Sequence, residues 1–413
     1  MSTSQAEHHV VVLGAGYAGV LAANRTLASL TPAEADRVRL TVVNAAPDFV
    51  DRIRLHEVAA GTREHARTPL ADVLHARAAV VVGTAEHVDA AAHVVRLATA
   101  EGEQDLRYDT LVWAVGSRAR ADVPGAREHA HLLADVAGAE AARDGLARLP
   151  RGARVVVVGG GLTGVEAVAE VAERRRDLAV TLLSAGDVAP SLGEGGRRHV
   201  LRRLRALGVE VLTGARVREV REGGLVLDDG VVPFDACVWS ASFAASDLAA
   251  RSGLPVDALG RLRVEADLTV AGGLDVPGGA DVVGAGDAVV LPPELGAHLR
   301  MSCAAALPLG AGAAATVLAR LRGEVAPAVS VGYGGQCVSL GRRGGVIQAV
   351  RADDAPRRLV VGGRVAAVVK ELVCRYAAGS PRWERRLPGT YRPLPGPVPA
   401  PRAGAEVAAE ALR

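Results

Sequence analysis

The sequence predicts an α/β protein made of two nested Rossmann-like dinucleotide-binding domains and a small C-terminal α+β region. Two glycine-rich turns carry this reading. Val10-Val11-Val12-Leu13 runs into Gly14-Ala15-Gly16-Tyr17-Ala18-Gly19, and Val155-Val156-Val157-Val158 runs into Gly159-Gly160-Gly161-Leu162-Thr163-Gly164. Each copy is an aliphatic run, a G-x-G-x-x-G turn and then an apolar helical pattern, a context far more specific than the turn alone. A third cluster, Asp281-Val282-Val283-Gly284-Ala285-Gly286-Asp287, completes the set. Two dinucleotide sites on one chain point to electron transfer between two dinucleotides.

The first unit can be justified residue by residue. Val10 to Leu13 lacks polar alternation, as a parallel strand buried on both faces requires. Gly14 permits the tight turn, Gly16 puts no Cβ between backbone and pyrophosphate, and Gly19 lets the helix lie close to the strand. The helix start offers free N–H groups and a positive dipole end to phosphates, and its apolar pattern continues through Val20, Leu21, Ala22 and Leu27. The next strand, Leu40-Thr41-Val42-Val43, ends in Asn44, where an acidic residue usually holds the ribose hydroxyls. The amide oxygen of Asn44 can accept one such bond. Phe49 to Gly61 reads as a helix stopped by Gly61. Strands are expected at Ala79–Ala85, at His93–Leu97 and from Tyr108 into the small-residue turn Ala114-Val115-Gly116-Ser117. Pro124-Gly125 marks a hinge.

The second unit repeats the logic with Gly159, Gly161 and Gly164. Its next strand, Ala179 to Leu183, ends in Ser184. Serine neither repels a 2′-phosphate nor holds a ribose as a carboxylate does, so NADH and NADPH both stay open. Downstream, Arg197 and Arg198 would favour NADPH, or form the solvated face of a helix with His199, Arg202, Arg203 and Arg205. The third cluster then returns the chain to the first sheet. Glycines alternate with aliphatic residues from Val329 to Ile347, as in an antiparallel addition, and a helix follows from Gly363 through Val373. The expected domains are 8–120 with 267–325, then 121–266, then a C-terminal region 326–385. The tail 386–413, rich in Pro, Arg and Ala, reads as disordered.

Composition agrees. A chain of 413 residues has room for two or three domains, and 49% apolar content suffices for buried cores. A formal charge of +2 and 3% aromatic residues leave no electrostatic or stacking case for nucleic acid. Cys237, Cys303, Cys337 and Cys374 are widely spaced, without a C-x-x-C pair, and the histidines fall into no metal-ligand spacing. Met1 to His9 is polar and short for a signal peptide. No apolar stretch reaches the length of about eighteen residues that a membrane span needs. The expected setting is cytoplasmic, soluble or peripheral on the inner face of a membrane.

Residues 8 to 380 resemble the pyridine-nucleotide-dependent FAD oxidoreductases with two dinucleotide folds, and among them the type II NADH dehydrogenases. The resemblance implies that Gly14, Ala15, Gly16, Tyr17, Ala18 and Gly19 hold the FAD pyrophosphate. It places Asn44, Arg54, Ala85, Ala114, Gly116, Gly286, Asp287 and Ala304 around the rest of FAD, with the Asp287 carboxylate accepting ribityl hydroxyls. Gly159, Gly161, Leu162, Thr163, Gly164, Glu166 and Ser184 match the family's site for NADH or NADPH, and Glu57-Val58-Ala59-Ala60-Gly61 is similar to its E-V-A-x-G segment. The resemblance implies that hydride passes from NAD(P)H to FAD and that electrons go on to a second acceptor, a quinone or another small molecule. Peripheral membrane contact and a homodimer are in keeping with the family.

Three residues are the catalytic candidates. Glu166 would approach the nicotinamide, or merely stabilise its helix dipole. Lys370 would lie near the flavin and Glu166, or be an exposed helix lysine. Cys303 would touch the flavin ring as a buried thiol without a disulfide partner. There are also departures. The family's A-Q-x-A-x-x-Q segment is Cys303-Ala304-Ala305-Ala306-Leu307-Pro308-Leu309-Gly310 here, with Ala304 and Leu309 in place of both glutamines. No amphipathic membrane anchor is evident after Tyr376. A soluble reductase or tailoring oxidoreductase acting on a small molecule or partner protein, and a non-enzymatic NAD(P)H sensor, are the alternatives.

Overall fold

The computed structural model describes residues 7–241 and 243–398. β1 (His8–Leu13) sits inside the first sheet, and Val10 to Leu13 are fully buried because strands and helices cover both faces. α1 (Tyr17–Ala28) follows the first glycine turn, and β2 (Val38–Asn44) pairs with β1 in parallel, Val10 opposite Leu40. The segment expected as one helix from Phe49 is three elements. Asp48–Val50 pairs antiparallel with Arg67–Pro69, Arg52–Arg54 makes a 3-10 turn, and only α2 (Leu55–Ala59) is α-helical. The cause is Phe49, buried with its ring 5.3 Å from that of Tyr17, which draws the backbone into an extended run. Gly61 ends the helix region at φ +73°.

Next come β3 (Ala78–Asp89), β4 (Val94–Thr99) and β5 (Gly102–Arg107), joined as antiparallel hairpins, and then β6 (Thr110–Trp113) beside β1. The second unit contains β7 (His131–Leu132), α3 (Val136–Arg148), β8 (Arg154–Val158) and α4 (Leu162–Arg174). It continues with β9 (Ala179–Leu183), α5 (Glu194–Ala206), β10 (Glu210–Leu212) and β11 (Ala236–Trp239). Its five strands are all parallel, in the order β7-β11-β8-β9-β10. β12 (Val282–Gly284) then pairs with β6 and completes the first sheet, in the order β12-β6-β1-β2-β3-β4-β5.

Two segments sit across the expected boundaries. Leu248, Ala249, Leu254, Leu262 and Val264 bury into the first core, so the chain returns to that body before residue 248 rather than at 267. Conversely, Leu55, Val58 and Ala59 of α2 pack into the second core. Apolar contact, not chain order, decides membership.

α6 (Cys303–Arg322) has the length and composition of a membrane span, contrary to the expectation that no such stretch exists. It is mostly buried and packs along α1, where a Cβ on Gly310 would come within 2.4 Å of the Ala18 carbonyl oxygen. It is a core helix. The C-terminal region is an antiparallel sheet of β13 (Gly335–Ser339), β14 (Gly345–Val350) and β15 (Pro356–Gly362), followed by α7 (Gly363–Glu384).

α7 runs well past Val373, and the tail beyond it is not disordered through residue 398. The Glu384 carboxylate, fully buried, accepts hydrogen bonds from the backbone N–H groups of Gly389 (2.8 Å) and Tyr391 (2.6 Å), and Gly332 N–H donates to Leu394 O (2.9 Å). Composition predicted disorder, but one buried carboxylate with several donors fixes the backbone. The expectation for 399–413 lies outside the described residues.

Candidate active site

The first glycine turn has a definite division of labour. Gly14 has φ +101°, and a Cβ there would come within 2.3 Å of Ala114 O. A Cβ on Gly19 would sit 1.9 Å from Gly14 O, so α1 packs directly on the turn. Gly16 differs, since no atom lies within 4 Å of where its Cβ would stand. That opening is the cradle. Asn44 braces it, its Oδ1 accepting from Ala15 N–H at 3.0 Å while its Nδ2 donates to Ala46 O at 2.7 Å. The amide thus holds the turn itself, which takes up one of the lone pairs expected for ribose.

Gly286, at φ +77°, brings the third cluster against α1, with its Cβ direction 3.1 Å from the Ala18 methyl. The Asp287 carboxylate accepts from Ser117 Oγ (3.0 Å) and from Ser302 N–H (2.9 Å), and burial pushes its carboxyl up. Ser302 caps α6, its hydroxyl oxygen accepting from Ala305 N–H. The N-termini of α1 and α6 therefore converge on one floor, where their free N–H groups suit a pyrophosphate. Gly116, at φ +68°, lies beside Arg52, whose guanidinium donates to Ser117 O at 2.6 Å. Ala114 is buried, Ala304 is exposed at the start of α6, and Ala85 is half-buried in β3 opposite Leu97. Arg54 is committed elsewhere, to Glu57 (2.7 Å) and Glu371 (2.5 Å).

The second turn repeats the first almost atom for atom. Gly159 has φ +124°, a Cβ on Gly164 would sit 1.9 Å from Gly159 O, and Gly161 has nothing within 4 Å. Gly160 is the addition. A Cβ there would meet Ser184 Oγ at 2.2 Å, so buried Ser184 packs beneath the turn. A cavity of about 460 Å³ opens beside this turn, lined by Gly159, Leu183, Ala185, Arg216, Trp239 and Ala241 among others. Arg197 and Arg198 do not line it. They pair with Asp187 (2.8 Å) and Glu194 (3.8 Å), while Val200 and Leu204 bury on α5, which favours the solvated-face reading. Leu162 and Thr163 are half-buried at the start of α4.

Between the two units stands a buried ion pair. Glu166 Oε1 on α4 lies 2.9 Å from Lys370 Nζ on α7 and accepts from Ser339 N–H at 2.9 Å. Burial opposes the charge on Glu166, but Lys370 and His56, whose Nδ1 is 4.0 Å from Oε2, hold the carboxyl below its ordinary range. Burial likewise opposes the Lys370 charge, and Glu166 more than restores it, so the ammonium stays protonated. Cys303 follows Ser302 at the start of α6, next to the N–H that Asp287 accepts. Burial pushes its thiol up to about 11. The Tyr17 hydroxyl donates to Asp51 alongside.

Sequence reasoning missed Asp51, Arg52, His56 and Arg342. The Glu57-to-Gly61 match pointed to the right segment, yet nothing in it marked Glu57 as the hub that takes Arg54 (2.7 Å), Arg63 (2.7 Å) and Arg342 (3.0 Å). Despite its burial, these cations and His56 hold the Glu57 carboxyl at about 2. Arg342 comes from residues far along the chain, so no local spacing signals it.

Two open glycine cradles and the converging helix ends fit FAD in the first unit and a nicotinamide dinucleotide in the second. The chain belongs to the pyridine nucleotide-disulphide oxidoreductase family, whose model matches residues 8–288. It is an FAD-dependent oxidoreductase that uses NAD(P)H. It is 32% identical over 390 residues to an NADH dehydrogenase-like protein of Mycobacterium tuberculosis, covering 88% of this chain and 92% of the relative. It is 27% identical over 307 residues to the type II NADH:quinone oxidoreductase Ndh of the same species, covering 64% and 65%. The fold is similar to that of the sulfide:quinone oxidoreductase from Aquifex aeolicus, with a TM-score of 0.73, 18% identity and coverage of 92% and 93%. NDH2 from Plasmodium falciparum in complex with NADH is similar too, with a TM-score of 0.72, 15% identity and coverage of 93% and 99%.

Proposed function

We propose that the chain is an NAD(P)H:quinone-type oxidoreductase that works at a membrane surface. The observation that carries this is the Glu166–Lys370 pair, which joins the second dinucleotide unit to α7 at 2.9 Å. A bound FAD would supply the hydride and electron chemistry that links NAD(P)H to the acceptor. The chain's own residues do the rest. The helix ends at Gly16 and Ser302 offset pyrophosphate charge, and Asp287 is placed to accept hydroxyls from the ribityl chain. Glu166 keeps Lys370 charged, and that buried cation stabilises negative charge arriving on an acceptor. The curated relatives named for NADH and quinone chemistry support the reading.

The membrane half of the proposal rests on α7. Val365 (64% exposed), Tyr376 (43%) and Trp383 (51%) face solvent, with Arg382 and Arg386 beside them. Exposed apolar residues with a basic surround make an interfacial helix that lies on an anionic bilayer. Steady-state oxidation of NADH with a short-chain quinone, ferricyanide and oxygen tests the acceptor. The highest kcat/KM is expected with the quinone, and turnover with oxygen or ferricyanide alone would sink the reading. Co-sedimentation with phosphatidylglycerol vesicles, weakened by Trp383→Ala, tests the surface.

A further inference from the structure

A second cavity, of about 510 Å³, opens between α7, α2 and the turn that joins β13 to β14. That volume suits a small molecule rather than a macromolecular partner, being within the roughly 300–1,000 Å³ of ligand sites. Its charge is one-sided. Arg54, Arg342, Arg343, Arg364, Lys370 and Arg375 line it against two carboxylates, Glu57 and Glu371.

Four of the six cations are already engaged. Arg54 and Arg342 hold Glu57, Lys370 holds Glu166, and Arg375 holds Glu371 at 2.8 Å. Arg343 and Arg364 are exposed and make no ion pair among the described residues. The rest of the wall is apolar, with Ala367, Val368 and Leu372 along one face of α7. Unspent guanidinium groups beside an aliphatic wall call for a ligand with an anionic group on an apolar ring. Lys370 belongs both to this wall and to the pair with Glu166, which ties the cavity to the redox centre.

We propose that this cavity is the acceptor site and that it takes a quinone bearing an anionic substituent, with Arg343 and Arg364 binding the anion. This rests on the quinone reading above and narrows it to a class of substrate. The overall step is NADH + H⁺ + quinone → NAD⁺ + quinol. Two electrons and one proton come from the hydride, the second proton comes from solvent, and the anionic substituent is unchanged. The departures at Ala304 and Leu309 agree with it, since charge from Arg364 on α7 and Arg343 on the β13–β14 turn would replace hydrogen bonding from α6 as the means of recognition.

The test uses the oxidised holoenzyme and a matched pair of ligands, 2-hydroxy-1,4-naphthoquinone, an anion at neutral pH, and its neutral 2-methoxy counterpart. Equilibrium titration without NADH should show the anion binding at least about tenfold more tightly at low salt, a factor equal to one decade in Kd. The double substitution Arg343→Gln/Arg364→Gln should erase that preference and leave the methoxy compound unaffected. Arg343→Lys/Arg364→Lys should restore most of it. Equal affinity for the two ligands, or a preference that survives the glutamine pair, would overturn the assignment. Because binding is measured without turnover, failure to reduce either quinone would count against the function and not against the anion site.

Discussion

The carboxylate of Glu166 and the ammonium of Lys370 lie 2.9 Å apart, although they come from opposite halves of the chain and neither is more than slightly exposed. Lys370→Met would strand a buried carboxylate and cost about 3–5 kcal/mol of stability, measurable by urea unfolding. The pH dependence should change sign as well. In the native protein the depressed Glu166 carboxyl contributes stability that is present above its unfolded range and lost as pH falls through the folded one. Without Lys370, burial dominates and raises that carboxyl, so the variant should gain stability as pH drops from 8 towards 5.

The glycines of the two cradles should separate by effect. Gly161→Val should abolish reduction by NAD(P)H and leave FAD bound, because no protein atom lies within 4 Å of the new Cβ, which points into the open cradle. Gly16→Val should release FAD instead, read as loss of flavin absorbance on gel filtration. Gly19→Ala should do neither selectively. Its Cβ would sit 1.9 Å from a backbone oxygen, so lowered Tm and poor soluble yield are expected.

Nucleotide preference should follow Arg216, which lines the second-unit cavity, and not Arg197 or Arg198. Wild-type kcat/KM values for NADH and NADPH should differ by less than about a hundredfold, or about 2.7 kcal/mol. Arg216→Glu should lower the NADPH value relative to NADH by about tenfold, while Arg197→Ala leaves the ratio alone. The opposite pattern would return the discrimination to α5.

Cys303→Ala should change the rate of flavin reduction by less than about tenfold. A thiol pushed up to about 11 is protonated at neutral pH and supplies no thiolate. Stopped-flow reduction by NADH measures this, and iodoacetamide should label Cys303 slowly until pH nears that range.

The cradles were legible because each glycine's role is local. Gly14, Gly16 and Gly19 are read from one turn, and the same spacing recurs at Gly159, Gly161 and Gly164. The contacts of Ser184 and Asn44 were not legible, since only the folded turn reveals that Ser184 sits under Gly160 and that Asn44 grips Ala15. Glu166 and Lys370 were named only through family likeness, and His56 and Arg342 not at all. Glu166 and Lys370 meet across more than two hundred residues, His56 joins them from the first unit, and Arg342 reaches Glu57 and Glu170, so no periodicity encodes the cluster. The tail misled for a related reason, because its order depends on Glu384 and not on its own composition.

The Glu384 anchor makes the first cradle depend on a distant part of the chain. Its carboxylate is joined to Arg25 of α1 at 2.6 Å, and Asn24 beside it donates to Pro381 O at 2.7 Å. The helix behind the first glycine turn therefore leans on a residue 359 positions further along. A truncation anywhere within α7 removes that outer support, so such a variant should hold FAD weakly and purify with little yellow colour.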